Sequence, residues 1–391
     1  MDFSLMREFM DRLCDWRVPG NCVSVHIDNK KVFSYTSGYE NIEKKTRMSD
    51  KKLFNMFSAT KPVTALAGLQ LYEKGYFLLD DPLYDFIPEY KQMFIKDADG
   101  NIREAKNPIT LRQLFTMTSG ILYGYTSANI EEARRVTNGR MDTLTTVKYI
   151  AKDPLDFEPG EGWAYGLGLD VLGAVIEIVS GKKFRDYVKE NIFEPLDMND
   201  SYFHMEDVVD SVADMYFYHD SEETDLVKLQ MGGSNSNKGW IELVDKHPYL
   251  VLGPEFDSGG AGLTCSPSDY SKFALALANG GVGKNGERII SSGGVELMRT
   301  NQMEIAGRHL LHYPQHLGYG YGFGVRTMVD RALSGSNGSY GEFGWGSAAG
   351  SFVLIDPERK LSLLYTQHML NPHEEYIIPR IRNVLYTCLD R

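Results

Sequence analysis

Apolar residues recur near the helical period from the start of the chain. Phe3, Met6, Phe9, Met10 and Leu13 fall on one face of a predicted amphipathic helix over residues 1–16. Pro19-Gly20 ends it. Two short β-type runs follow, CVSVHID and KVFSYTSGY, and Asp28-Asn29-Lys30 between them has hairpin chemistry. A long apolar helix then opens near Ser58 and closes near Lys74-Gly75. From residue 80 to about residue 253 the pattern is one of helical segments cut by Pro and Gly, among them ITLRQLFTMTSG, MDTLTTVKYIAKD and LGLDVLGAVIEIVSG running into KKFRDYVKENIFEPL. PSDYSKFALALANGG predicts a further capped helix. YGYGFGVRTMV, AGSFVLIDPE and KLSLLYTQHM then read as strands, and EEYIIPRIRNVLYTCLD has helical periodicity. Strands at both ends with helices between them predict an α+β fold: one sheet domain drawn from 1–79 and 254–391, flanked by helices, and a mostly α-helical inserted domain over 80–253.

Composition narrows the class. With 391 residues, 42% hydrophobic and 24% charged, the chain has ample material for a core and neither the composition of a disordered segment nor an apolar run of bilayer length. A net charge of −12 without a basic cluster argues against nucleic acid as a partner. The opening MDFSLMREFMDRLCDW carries acids and arginines every few residues and lacks the apolar core of a secretory signal, so a cytoplasmic protein with no membrane association is expected. Cys14, Cys22, Cys265 and Cys388 lack CxxC spacing and read as free buried thiols, with neither disulfides nor a metal site.

The candidate chemistry begins at Ser58-Ala59-Thr60-Lys61. Side chains three apart share a helix face, so Lys61 can sit beside the Ser58 hydroxyl and draw off its proton if burial lowers the amine's pKa. Ser49-Asp50-Lys51-Lys52 and Ser180-Gly181-Lys182-Lys183 have the same spacing, but Ser49 reads as a turn or cap and Ser180-Gly181 as a helix C-terminus. Pro62 lacks an amide hydrogen, so a helix here must begin within residues 58–61, and its unpaired N–H groups would surround the serine. On these residues alone, an N-cap serine followed by a surface lysine is an equal alternative.

Three further segments extend the pattern: GEGWAYGLGLDVLGAVIEIVSG, FDSGGAGLTCSPSDYSKFALALANGG, and GWGSAAGSFVLIDPE ahead of LYTQ. With VFSYTSGYENIEKKTRMSDKKLFNMFSATKP before them, they resemble the serine β-lactamase-like superfamily of class C β-lactamases, penicillin-binding carboxypeptidases and family VIII carboxylesterases, over nearly the whole chain and in family order. The resemblance implies the β-lactamase/transpeptidase-like fold. It also makes Ser58 the nucleophile, Lys61 or Tyr165 the base, and Trp345-Gly346-Ser347 the third motif. Leu167 stands where an amide side chain is usual, and Trp345 where β-lactamases carry a cation, so the esterase branch is the closer likeness. Ser347 replaces the glycine usual in that branch. A phenol beside an ammonium is expected to have a pKa below its ordinary value of about 10, and an oxyanion is expected at the backbone N–H groups of Ser58 and of Ser347-Ala348.

The function so implied is a serine hydrolase acting through an acyl-enzyme on a small or medium carboxylic ester, with no metal or other cofactor. A β-lactamase, an amidase or peptidase, and an acyltransferase remain alternatives within the fold. A non-catalytic protein that binds acylated ligands or assembles into a larger structure is the alternative outside enzymes. His309, His312 and His316 have a spacing of interest to a metal, but Pro314 interrupts them and a pocket-bordering loop is the simpler reading. Asp80-Asp81 and Glu374-Glu375 read as turn and solvent-facing acids, and Ser268-Asp269 as a helix N-cap. No serine lies in Gly-x-Ser-x-Gly.

Overall fold

The computed structural model describes residues 1–97, 99–206, 208–220, 236–247, 252–303 and 310–391. The amphipathic opening forms helix α1 (Ser4–Arg12), followed by a 3₁₀ turn over Leu13–Trp16. Strand β1 (Gly20–Ile27) turns back into β2 (Lys30–Asn41) through Asp28 and Asn29, whose φ values of 47° and 66° suit a two-residue hairpin turn. The short strand β3 (Thr46–Arg47) pairs with the far end of β2.

A 3₁₀ turn over Phe57–Thr60 leads into α2 (Lys61–Glu73), with Pro62 in the first turn, where no amide hydrogen is required. Every α2 residue from Lys61 to Leu71 is buried, so this is a core helix, enclosed on all sides. It packs on α3 (Gly168–Ser180), which ends in left-handed Gly181 as the SGK pattern predicts. Helix α4 (Pro267–Ala278) is capped by Ser266, whose Oγ accepts from Asp269 N at 3.2 Å, and not by Ser268 as expected. Pro267 takes the first helical position, which moves the cap one residue upstream of it.

The expected strand YGYGFGVRTMV divides into β4 (Tyr319–Tyr321) and β5 (Arg326–Met328). Gly324 lies in the turn between them with φ 69°, so close to the α2 backbone that a Cβ there would stand 3.0 Å from Lys61 O. Strands β6 (Phe343–Gly344), β7 (Phe352–Asp356) and β8 (Leu361–Gln367) follow, and helix α5 (Glu374–Leu389) ends the chain. The sheet order is β4-β5-β6-β7-β8-β1-β2-β3, antiparallel throughout. The two ends of the chain meet in its interior, where Asn21 pairs with Gln367 and Ile27 with Leu361.

Helices α1 and α5 cover one face, burying Met6, Phe9, Met10, Leu13, Ile377, Ile381 and Leu385 against Leu354 and Leu363. Helix α4 covers the other, and α2 and α3 belong to the larger core on that side. The segment between the sheet halves carries the short helices Leu111–Thr116, Ala128–Val136 and Thr143–Ile150. It also supplies strands Met215–His219 and Trp240–Val244, the first of which pairs in parallel with Met369–Leu370.

Candidate active site

Ser58 follows a residue in an unusual conformation. Phe57 has φ 41°, sparsely allowed for a bulky side chain, and its ring is locked among Met215, Phe217, Ala261, Ala349 and Leu370. The next residue, Ser58, is half-buried at the head of α2. One turn on, Lys61 Nζ lies 3.2 Å from Ser58 Oγ and also donates to Tyr123 OH at 3.1 Å and to Gly260 O at 2.8 Å. Burial disfavours the ammonium and brings the Lys61 pKa down to about 7, with the charge of Asp170 opposing the shift. Near neutral pH part of this lysine is therefore a free amine in contact with a serine hydroxyl.

The carbonyl that receives Lys61 is held from behind. Asp170, fully buried on α3, accepts from Ser258 Oγ at 2.6 Å and from Gly260 N at 3.1 Å, which fixes the Ser258–Gly260 turn. Burial raises the Asp170 pKa, and the Lys61 charge works against that rise. Tyr165, just ahead of α3, accepts from Trp345 Nε1 at 2.9 Å, and Lys61 Nζ stands 4.5 Å from the centroid of its ring. The expectation of an acidified phenol is overturned. Burial raises the Tyr165 pKa more than hydrogen bonding to Ser58, Trp345 and Tyr123 lowers it. Lys61 lies over the π-face of the ring, and burial remains the largest influence on the phenol. Tyr165 is thus a protonated phenol near neutral pH.

Trp345 continues the line of β6, with its carbonyl accepting from Val353 N at 2.9 Å. Beyond Gly346 the chain turns tightly: Gly350 N donates to Ser347 O at 2.9 Å and Ser351 N to Ser347 Oγ at 2.9 Å. The Ser347 hydroxyl therefore braces the turn. Ala348 packs on the cluster that holds Phe57, which brings this turn beside the Ser58 loop. Leu167, nearly inaccessible at the start of α3, lines a cavity of 240 Å³ together with Ile121, Tyr123, Ile150 and Leu155. The structure thus joins Ser58, Lys61, Tyr165 and Trp345 through direct contacts and sets Gly346, Ser347 and Ala348 at the adjoining turn.

One expectation for a weaker signal changes. Glu374 is not solvent-facing: it is half-buried, its Oε2 accepts from Gln315 Nε2 at 3.2 Å, and burial pushes its pKa up to about 7. The histidines do not converge. His316 is buried with its ring 5.4 Å from Trp345, His312 is exposed, and His309 lies outside the described residues, among which no group of three metal-ligating side chains is found. Tyr123, Asp170 and the Gly260 carbonyl escaped the sequence reading. A signal existed for Asp170, an acid within the apolar run GLGLDVLGAVIEIV, where an unpaired charge is costly.

Known proteins match along this whole arrangement. The Beta-lactamase family profile matches residues 4–385. Esterase EstB of Burkholderia gladioli is 28% identical over 369 residues, covering 91% of this chain and 87% of its own. Among solved structures, EstCE1, a hydrolase with promiscuous acyltransferase activity, superposes with a TM-score of 0.75 at 23% identity and covers 98% of both chains. Simvastatin synthase LovD from Aspergillus terreus, in a mutant form, gives a TM-score of 0.77 at 22% identity, covering 99% of this chain and 97% of that one.

Proposed function

We propose that this chain, which belongs to the beta-lactamase family, is a serine hydrolase that cleaves small or medium carboxylic esters through an acyl-enzyme on Ser58. The observation that carries the reading is the 3.2 Å contact of Ser58 Oγ with Lys61 Nζ, an amine whose pKa is near 7. Neutral Lys61 takes the Oγ proton as Oγ bonds to the ester carbonyl carbon. Backbone N–H groups of Ser58 and of the Ser347–Ala348 turn hold the oxyanion. As the adduct collapses, the bond to the leaving oxygen breaks and Tyr165 gives that oxygen its proton. The Lys61 ammonium restores the phenol through Tyr123, whose oxygen is 3.1 Å from Nζ and which hydrogen-bonds Tyr165. Water then bonds to the acyl carbon and loses a proton to Lys61, and Ser58 departs with that proton. The sum is one ester and one water giving one acid and one alcohol.

Trp345, in place of a cation, supports an ester without a carboxylate at that end, and so weighs against β-lactams. The esterase name of the Burkholderia relative supports ester cleavage. Transfer to an alcohol in place of water is the second reading, supported by the acyltransferase activity named for EstCE1. The cytoplasm is the compartment this reading favours, supported by four cysteines that are all free thiols. Among the described residues no helix is long and apolar enough to cross a membrane. Turnover of p-nitrophenyl butyrate is expected, with Ser58→Ala lowering it by about 10³-fold or more, and a fluorophosphonate is expected to label Ser58. Equal rates in both proteins, or labelling at another serine, would overturn the proposal.

A further inference from the structure

The phenol that protonates a departing oxygen must lie beside it, so Tyr165 marks the leaving-group side of the cleft. The next groups on that side are Trp345, bound to the Tyr165 oxygen at 2.9 Å, and Gly346. A Cβ built on Gly346 would stand 3.1 Å from Glu374 Oε1. Gln315 steadies the other carboxylate oxygen at 3.2 Å, which leaves Oε1 turned to a backbone that carries no side chain. The charge of Glu374 reaches the phenol, since it contributes to raising the Tyr165 pKa. Aromatic rings complete the wall: Tyr165 is 5.5 Å from Trp345 and Tyr321 5.2 Å from it, centroid to centroid.

We infer that Glu374, with the Trp345 and Tyr165 rings, forms a leaving-group subsite for an alcohol or amine that carries an ammonium. The substrate is then a cationic ester or amide in preference to an anionic one. The orientation of the subsite rests on the hydrolase reading above; its charge selectivity does not. A carboxylate beside aromatic faces is the environment an organic cation binds, and an anionic leaving group meets repulsion there. The net charge of −12 draws cations toward the whole molecule.

Burial pushes the Glu374 pKa up to about 7, Gln315 and Arg326 opposing and Glu375 adding to the rise. Two other groups about it hold one state near neutrality: His316 is kept neutral by burial, and the Tyr165 phenol stays protonated. Selectivity for a cation is therefore expected to grow as pH rises through about 7.

Butyrylcholine and 3,3-dimethylbutyl butyrate share an acyl group and a shape and differ in charge. At pH 8.5 the wild-type kcat/KM ratio is expected to favour the choline ester on the order of tenfold. The ratio is expected to shrink at pH 5.5, to approach one in Glu374→Gln, and to survive in Glu374→Asp. Any effect of Lys61 ionisation cancels in the ratio. A wild-type ratio near one, or the same ratio in Glu374→Gln, would overturn the inference. Calorimetric titration with choline and with 3,3-dimethylbutan-1-ol repeats the comparison without turnover: choline is expected to bind the wild type more tightly, and Glu374→Gln to lose the difference. Choline binding through Glu374 with no ester turnover would remove the hydrolase reading and leave the subsite. Ser58-dependent turnover with no charge preference would remove the subsite alone.

Discussion

Two opposed influences meet on Lys61. Enclosure disfavours its charge, while the carboxylate of Asp170 favours it, and the balance leaves a pKa near 7, with oxygen acceptors on Ser58, Tyr123 and Gly260 in contact with the amine. If the neutral amine is the base, kcat/KM for p-nitrophenyl butyrate rises with pH through about 7 and then levels. Tyr123→Phe deletes one acceptor for the ammonium, so the charged form loses support and the inflection moves to lower pH. Loss of the relay is expected to lower the plateau as well, by about tenfold or more. A pH profile of both proteins checks this, and an unmoved inflection would separate Tyr123 from the lysine's proton. The Ser58–Lys61 pair was legible in the sequence because its geometry is local, three positions apart where a 3₁₀ turn runs into α2. Tyr165 and Trp345 were legible from motif order. Tyr123 and the Gly260 carbonyl were not: they reach Lys61 from 62 and 199 residues away, and nothing in their local pattern distinguishes them from a loop tyrosine and a loop glycine.

The site depends on elements that approach one another backbone to backbone. Gly166, next to Tyr165, lies so near the loop carrying Tyr123 that a Cβ would stand 2.0 Å from Ile121 O. Gly166→Ala must therefore separate the two tyrosines or strain both segments. A destabilisation of about 1–3 kcal/mol in urea unfolding is expected, with a fall in kcat larger than any change in KM; full activity at unaltered stability would show that the loops adjust freely. The same kind of contact explains where element boundaries departed from the sequence pattern. The aromatic-glycine alternation of YGYGFG predicts one strand, yet Gly324 turns over the α2 backbone and breaks it. Glu374-Glu375 has the composition of an exposed first turn, but Gln315 and Gly346 enclose the first of the pair. Each departure is a tertiary contact that a local pattern does not encode.

At the scale of the molecule, the nucleophile and the third motif come from opposite ends of the chain and are tied together through the β1–β8 pairing. Ser58 follows the first hairpin, and Trp345-Gly346-Ser347 lies between β6 and β7, so the cleft closes only when the C-terminal strands have reached β1. The strands at both ends were readable in the sequence because alternation and turn residues are local, whereas their order in the sheet is a long-range property. Helix α1 lies on the face of the sheet whose core does not contain the site: Phe9 belongs to that smaller core and Trp345 to the larger one, whereas α5 reaches the site at its first residue, Glu374. Phe9 is only 1% exposed. Phe9→Ala is therefore expected to remove about 3–5 kcal/mol of stability, seen as a lower urea midpoint, while KM for p-nitrophenyl butyrate measured well below the transition stays at the wild-type value. A changed KM at an unchanged midpoint would mean that the outer helix shapes the cleft directly. The expected result would mean that the N-terminal helix acts on catalysis only by holding the sheet that joins the two halves of the site.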